Sequence, residues 1–138
     1  MKRIKSFIVL LLFSLVLTLT ACKGKPLPDG MDAEQLFHAG KDVMLLMVEG
    51  NYDAIHALLR EDQREQITVE QIRETVTAQL NGAGEYKQID DHMTTGQTID
   101  GVRYGIAVLY CDFSEEDVLV RISFDADMQL VGFSLKQD

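Results

Sequence analysis

From Asp32 onward the apolar residues first recur at steps of three and four and then, beyond Gly84, at steps of two. Ala33, Leu36, Phe37, Gly40, Val43, Met44 and Met47 share one helical stripe, which predicts a helix between an N-cap at Asp32 and a stop at Gly50. Leu45, Leu46 and Val48 widen the stripe, so the second half should be covered on more than one side. This is the expected core helix. Asn51 then caps a short second helix with Tyr52, Ile55, Leu58 and Leu59 on one face, and "REDQREQ" at 60–66 reads as a solvated charged stretch. Thr68 followed by Gln71 forms a capping box for a third helix with Val69, Ile72, Val76 and Leu80 inward, which "NGAG" at 81–84 ends.

The period-two part predicts strands over 85–93, 102–113, 117–125 and 130–136, with "TTGQTIDG" at 94–101 read as turn material. Matching apolar sets across antiparallel neighbours places Phe124 opposite Val131 and Ile122 opposite Phe133, around a loop over 126–129. The same rule sets Phe113 opposite Val118 and Tyr110 opposite Arg121. Strand 102–113 is apolar on both faces, Ala107, Leu109, Cys111 and Phe113 on one and Tyr104, Ile106, Val108 and Tyr110 on the other, so it should be central. The expected fold class is α+β, three N-terminal helices packed on a curled antiparallel sheet of about four strands.

The first 21 residues follow a different logic. Lys2, Arg3 and Lys5 precede an apolar run from Phe7 to Leu19, and the small residues Thr20 and Ala21 follow, the order of a secretory signal. A spanning helix needs roughly 20 apolar residues, and this run is shorter. Leu19-Thr20-Ala21-Cys22 resembles the lipobox of bacterial lipoproteins, which implies lipidation of Cys22, cleavage before it, and a cell-membrane location facing outside the cytoplasm. Two or more acyl chains hold stably where one binds reversibly. The expected organisation is a signal peptide at 1–21, a lipidated Cys22 with a flexible tether to residue 30, and one domain over 31–138. At about 3.3 Å per residue that tether would lift the domain roughly 25 Å.

Cleavage also removes three positive charges, so the net charge of −9 becomes −12. Such a surface is repelled by nucleic acid and by anionic headgroups, which excludes both as expected partners and leaves the lipid to hold the membrane. With Cys22 lipidated, Cys111 has no disulfide partner and reads as a small buried hydrophobe. His38 and His56 lack a second ligand at i+4, and "SEEDV" with Asp125 and Asp127 lacks the glycine and closing glutamate of a calcium loop; no metal or cofactor is expected.

"EGNYDAIHALL", a capped helix, "GAGEY" and "YCDFSEEDVLVRISFDADMQLVGFSL" resemble the family called domain of unknown function 3887, over roughly residues 33–136. The resemblance implies a secreted or lipid-anchored protein with a cone-shaped fold similar to nuclear transport factor 2 and the ketosteroid isomerases, and supplies no catalytic residues. Where the family tends to place Gly after the Asp of the last hairpin, Met128 follows Asp127, so a positive φ is expected on Asp127.

A cone implies a pocket between sheet and helices, where related enzymes use an Asp base and a Tyr or Asp donor. Asp90, Asp91 and His92 are adjacent, so on a strand they alternate faces and cannot all enter one pocket. The residues singled out for a ligand pocket are Tyr104, Tyr110 and Arg121, with Tyr110 and Arg121 either rimming a site or packing ring against stem. The expected role is noncatalytic binding of a small apolar ligand or an envelope protein. An isomerase-like or hydrolase-like enzyme and a structural interaction protein are the alternatives.

Overall fold

In the computed structural model, which describes residues 24–138, α1 (Ala33–Glu49) begins where the Asp32 carboxylate accepts the Glu34 N–H. It ends where Gly50, at φ 72°, returns its N–H to the Leu46 and Met47 carbonyls. Left-handed backbone of this kind suits glycine. Asn51 caps α2 (Tyr52–Leu58) by accepting the Ala54 N–H, and Thr68 and Gln71 close the expected capping box on α4 (Val69–Leu80).

Between them lies an element that the apolar pattern does not announce. Residues 60–66, expected as solvated chain, form α3 (Glu61–Gln66), so the described residues hold four helices instead of three. None of its residues is buried, and end chemistry supports it in place of an apolar stripe. Glu61 and Asp62 occupy the first turn, where acidic groups suit the helix dipole. At the far end Arg64 donates to the Ala57 and Leu59 carbonyls, and His56 Nε2 donates to the Ile67 carbonyl at 2.8 Å.

Four antiparallel strands follow in the order β1 (Tyr86–Ile99), β2 (Val102–Phe113), β3 (Asp117–Phe124) and β4 (Leu130–Gln137), an open meander that does not close. β2 is central, as its two apolar faces require. β1 runs past the expected turn material to Ile99 because Thr94, Thr95 and Thr98 suit extended backbone, and the reversal falls on Asp100 and Gly101, φ 51° and 78°. Asp-Gly is a strong signal for a two-residue hairpin with positive φ at both positions.

The registers depart from expectation in two places. Val118 faces Cys111 instead of Phe113, a two-residue shift that keeps each residue on its expected face. Its cause lies in the connecting loop. Ser114 N–H donates to the Glu85 carbonyl at 2.7 Å and Glu115 N–H to that of Ala83 at 2.9 Å, and Phe113 pairs with Tyr86 of β1. In the last hairpin Ile122 faces Phe133 as expected, but an irregularity after Ser123 pairs Phe124 with Leu130 in place of Val131. The positive φ, 63°, falls on Met128 and not on Asp127. Met128 N–H returns to the Asp125 carbonyl and Asp125 N–H to that of Gln129. That is a turn closed by one left-handed residue, and the position after the turn is Met128.

The inner face of the sheet packs on the helices. Ala107, Leu109, Cys111, Val120 and Ile122 join Leu36, Val43, Met44, Ile55, Ile72 and Val76 in one buried core. α1 approaches β2 so closely that a Cβ on Gly40 would stand 2.5 Å from the Ala107 Cβ. The segment before α1 also belongs to this body. Residues 24–30, expected as flexible tether, lie against β1: Lys25 N–H donates to Thr95 Oγ1 and Gly96 N–H to the Lys25 carbonyl, each at 3.0 Å, while Pro28 is buried and Leu27 and Met31 pack on the core. Gly96 is required there, because the Pro26 carbonyl occupies the space of a side chain. Both prolines sit in this strap, whose fixed φ lowers the cost of ordering it.

Candidate functional site

The outer face of the sheet, turned away from α1, carries Tyr104, Ile106, Val108 and Tyr110 of β2 with Leu119, Arg121 and Ser123 of β3. Ile106 and Val108 are 2% and 5% exposed although neither belongs to the helix-side core. Around Ile106 opens a groove of about 400 Å³. Tyr104, Arg121 and Ser123 line it from the sheet, Ile99 and Gln97 from β1, Val131 to Ser134 from β4, and Arg60 and Gln63 from the helical side.

Arg60 reaches the groove because the chain between α2 and α3 is pinned to the last hairpin: Arg60 N–H donates to the Leu130 carbonyl at 2.8 Å, and Leu59 bridges Leu130. Its guanidinium makes a two-pronged pair with Asp62, Nε to Oδ1 at 2.7 Å and Nη2 to Oδ2 at 2.9 Å, and Nη1 reaches Asp125 Oδ2 at 3.4 Å. The hydrogen bond to Asp62 raises the guanidinium pKa most, with the Tyr104 hydroxyl and Asp125 adding to it against the lowering effect of burial. Asp62 is correspondingly held below the ordinary carboxylate range by Arg60. Asp125 is buried, and its Oδ1 accepts the Asp127 and Gln129 N–H groups at 3.0 and 2.9 Å. This carboxylate is a structural part of the hairpin, and no buried side-chain polar atom of the described residues is left unpartnered.

Arg121 differs from Arg60. It is exposed at the middle of the outer face, opposite Val108 and Ser134, and makes no ion pair among the described residues. Of the three residues singled out from the sequence, Tyr104 and Arg121 therefore share the groove and Tyr110 does not. The expected Tyr110–Arg121 pairing is corrected by the register: Tyr110 stands opposite Leu119 and Arg121 opposite Val108. Tyr110, 43% exposed, lines a separate hollow of about 390 Å³ with Asp90, Asp91, Asp117 and Lys136. His92 stacks on Phe37 of α1, ring centres 3.8 Å apart and planes at 17°. The alternation expected of Asp90, Asp91 and His92 does not hold: a bulge between Ile89 and Asp91 interrupts it, and all three line one shallow hollow with Phe37, Lys41 and Tyr86.

Two further sequence candidates resolve as structural. Burial pushes the Cys111 thiol up to about 11, which removes the thiolate a nucleophile needs at neutral pH. His38 lies on exposed helix beside Glu34 at 3.9 Å, and no cluster of potential metal ligands occurs among the described residues. Cys22 lies outside the described residues. Within them no helix is long and apolar enough to cross a membrane. Arg60 and Asp125 escaped the sequence reading because "REDQREQ" and "DAD" look like solvated chain. The available signal was Asp125 itself, two and four residues before N–H groups that its carboxylate caps.

The family model described as "Protein of unknown function (DUF3887)" matches residues 41–133. The chain belongs to the DUF3887 family. The DUF3887 match starts inside α1 and ends at Phe133, so it takes in Arg60, Tyr104, Arg121 and Asp125 and leaves the N-terminal strap outside. The fold is similar to that in an NMR structure of a protein from Ruminococcus gnavus ATCC 29149, at a TM-score of 0.68 and 24% identity, over 80% of this chain and 96% of that one. No curated protein matches this DUF3887 chain.

Proposed function

We propose that this DUF3887 protein is a noncatalytic binding module, anchored by lipid on Cys22 at the outer side of the cytoplasmic membrane, whose outer-face groove holds a small, largely apolar ligand. The observation that carries the reading is the groove around Ile106. Ile99, Ile106 and Val131 give it an apolar surface, and the polar side chains of Tyr104, Arg121, Ser123 and Ser134 converge beside them, groups that can fix a ligand's orientation. The volume of about 400 Å³ falls in the range of such sites. A noncatalytic role is supported by the chemistry nearby. Asp125, the buried carboxylate, is saturated by two N–H groups and Arg60, so no free base faces the groove. The kinship to the nuclear transport factor 2 fold is part of the same reading, supported by α1 crossing the central strand of an antiparallel sheet. The anchor rests on the order of residues from Lys2 to Cys22.

Native mass spectrometry of the protein purified from its host tests the groove. A copurified small molecule is expected, and Gly132→Leu should abolish it, because a Cβ at Gly132 meets nothing within 4 Å and the added side chain extends into the groove. A bound molecule that survives Gly132→Leu places the site elsewhere. Release of the Cys22→Ser variant from the membrane fraction tests the anchor separately.

A further inference from the structure

The charge lining the groove does not match the charge of the chain. Asp and Glu number 22 against 13 Lys and Arg, and yet among the described residues no carboxylate lines the groove. The polar groups that do are guanidinium, hydroxyl and amide: Arg121, Tyr104, Ser123, Ser134, Gln97 and Gln63. Arg60 is already neutralised by Asp62 and Asp125. Arg121 therefore contributes one uncompensated positive charge, flanked by Ser123 and Ser134 and set beside the apolar residues Ile99, Ile106 and Val131.

We propose, resting on the reading of the groove as a ligand site, that it selects a monocarboxylate with an apolar body, the carboxylate on Arg121 and the body along Ile99, Ile106 and Val131. Arginine presents a planar fork that matches a carboxylate with two parallel hydrogen bonds, which favours this anion over a point-like one. The single uncompensated charge fits a monoanion and leaves the second charge of a phosphate monoester without a partner. The long-range field of an acidic chain opposes any anion, but screening over about 8 Å at physiological ionic strength leaves the adjacent guanidinium dominant. An amine is disfavoured by both Arg121 and the absence of a lining carboxylate.

The test uses the full chain, isotope-labelled and held in nanodiscs, titrated with 4-phenylbutyrate and with its neutral isostere 4-phenylbutyramide. The backbone amides of Ser123 and Gly132 report on the groove. The acid should bind with shifts at these amides, and the amide should bind about tenfold more weakly, the difference expected for a charge-assisted hydrogen bond. Arg121→Gln, an exposed substitution that leaves the core intact, should bring the acid down to the level of the amide. Equal binding of acid and amide, or an unchanged acid affinity in Arg121→Gln, overturns the anion selectivity and leaves the groove standing. Absence of groove shifts with either compound, or binding that Gly132→Leu does not block, removes the groove itself.

Discussion

Gly40→Ala sets two opposing effects against each other at the contact between α1 and the sheet. In a helix interior alanine is favoured over glycine by about 1 kcal/mol, so local propensity alone predicts a more stable protein. The contact predicts the opposite. A Cβ at position 40 would stand 2.5 Å from the Ala107 Cβ, about 1 Å inside the ordinary carbon–carbon contact of roughly 3.5 Å. Ala107 is fully buried on the central strand and has no rotamer with which to retreat, so the helix must lift. Lifting loosens Leu36, Val43, Met44 and Met47 together, and overpacking of this kind costs about 1–3 kcal/mol. The net expectation is a loss of about 1 kcal/mol, the midpoint of the clash less the propensity gain. In an Ala107→Gly background the clash disappears and the same substitution should stabilise by about 1 kcal/mol, a coupling of about 2 kcal/mol. Urea denaturation of the four proteins measures it. A stabilised Gly40→Ala single mutant, or an identical effect in both backgrounds, would refute the close approach of helix and strand.

Asp125→Ala should destabilise the protein by about 2–4 kcal/mol, since it strips two N–H groups and one arginine prong of a charged acceptor, whereas Asp125→Asn keeps an oxygen for the N–H groups and should lose about half as much. Equal losses in urea denaturation would contradict the assignment of those bonds. Burial raises the Cys111 pKa from 9.0 to about 11, so the folded state holds its proton more tightly than the unfolded chain. Stability from this group is complete below pH 9, falls as pH rises through about 11, and should lose that slope in Cys111→Ala. Tyr86, raised by burial and then by Cys111, acts in the same direction above its ordinary value of 10.0, so a smaller alkaline slope should persist. Iodoacetamide should leave Cys111 unlabelled at pH 8 in the folded protein, and rapid labelling would refute its burial.

Helix ends and face assignments were legible because they depend on nearest neighbours in the chain. Asp32, Asn51, Thr68 and Gly50 each act on groups within a turn of themselves, and the sequence reading of all four agrees with the structure. The inward faces of β2 and β3 were legible too, since parity survives a two-residue shift. Partner identity across strands was not, because it is decided by where a loop is tied: Ser114 and Glu115 are held by Ala83 and Glu85, some thirty positions away. The groove suffered from the same blindness. Tyr104 was singled out as a possible donor on the central strand, but Arg121 only through a pairing with Tyr110 that the shift abolishes. Arg60 and Asp125, 65 residues apart, meet only because Leu59 and Arg60 join β4, which no local pattern announces.

The strap of residues 24–30 bears on how the proposed anchor at Cys22 would hold this body. With Lys25 fastened to Thr95 and Gly96, position 22 precedes the first tie by three residues, a separation of at most about 10 Å. A lipid at Cys22 would therefore hold the protein near the headgroups with a restricted tilt, presenting the side of the molecule that carries Thr95 to the bilayer instead of letting it tumble at a distance.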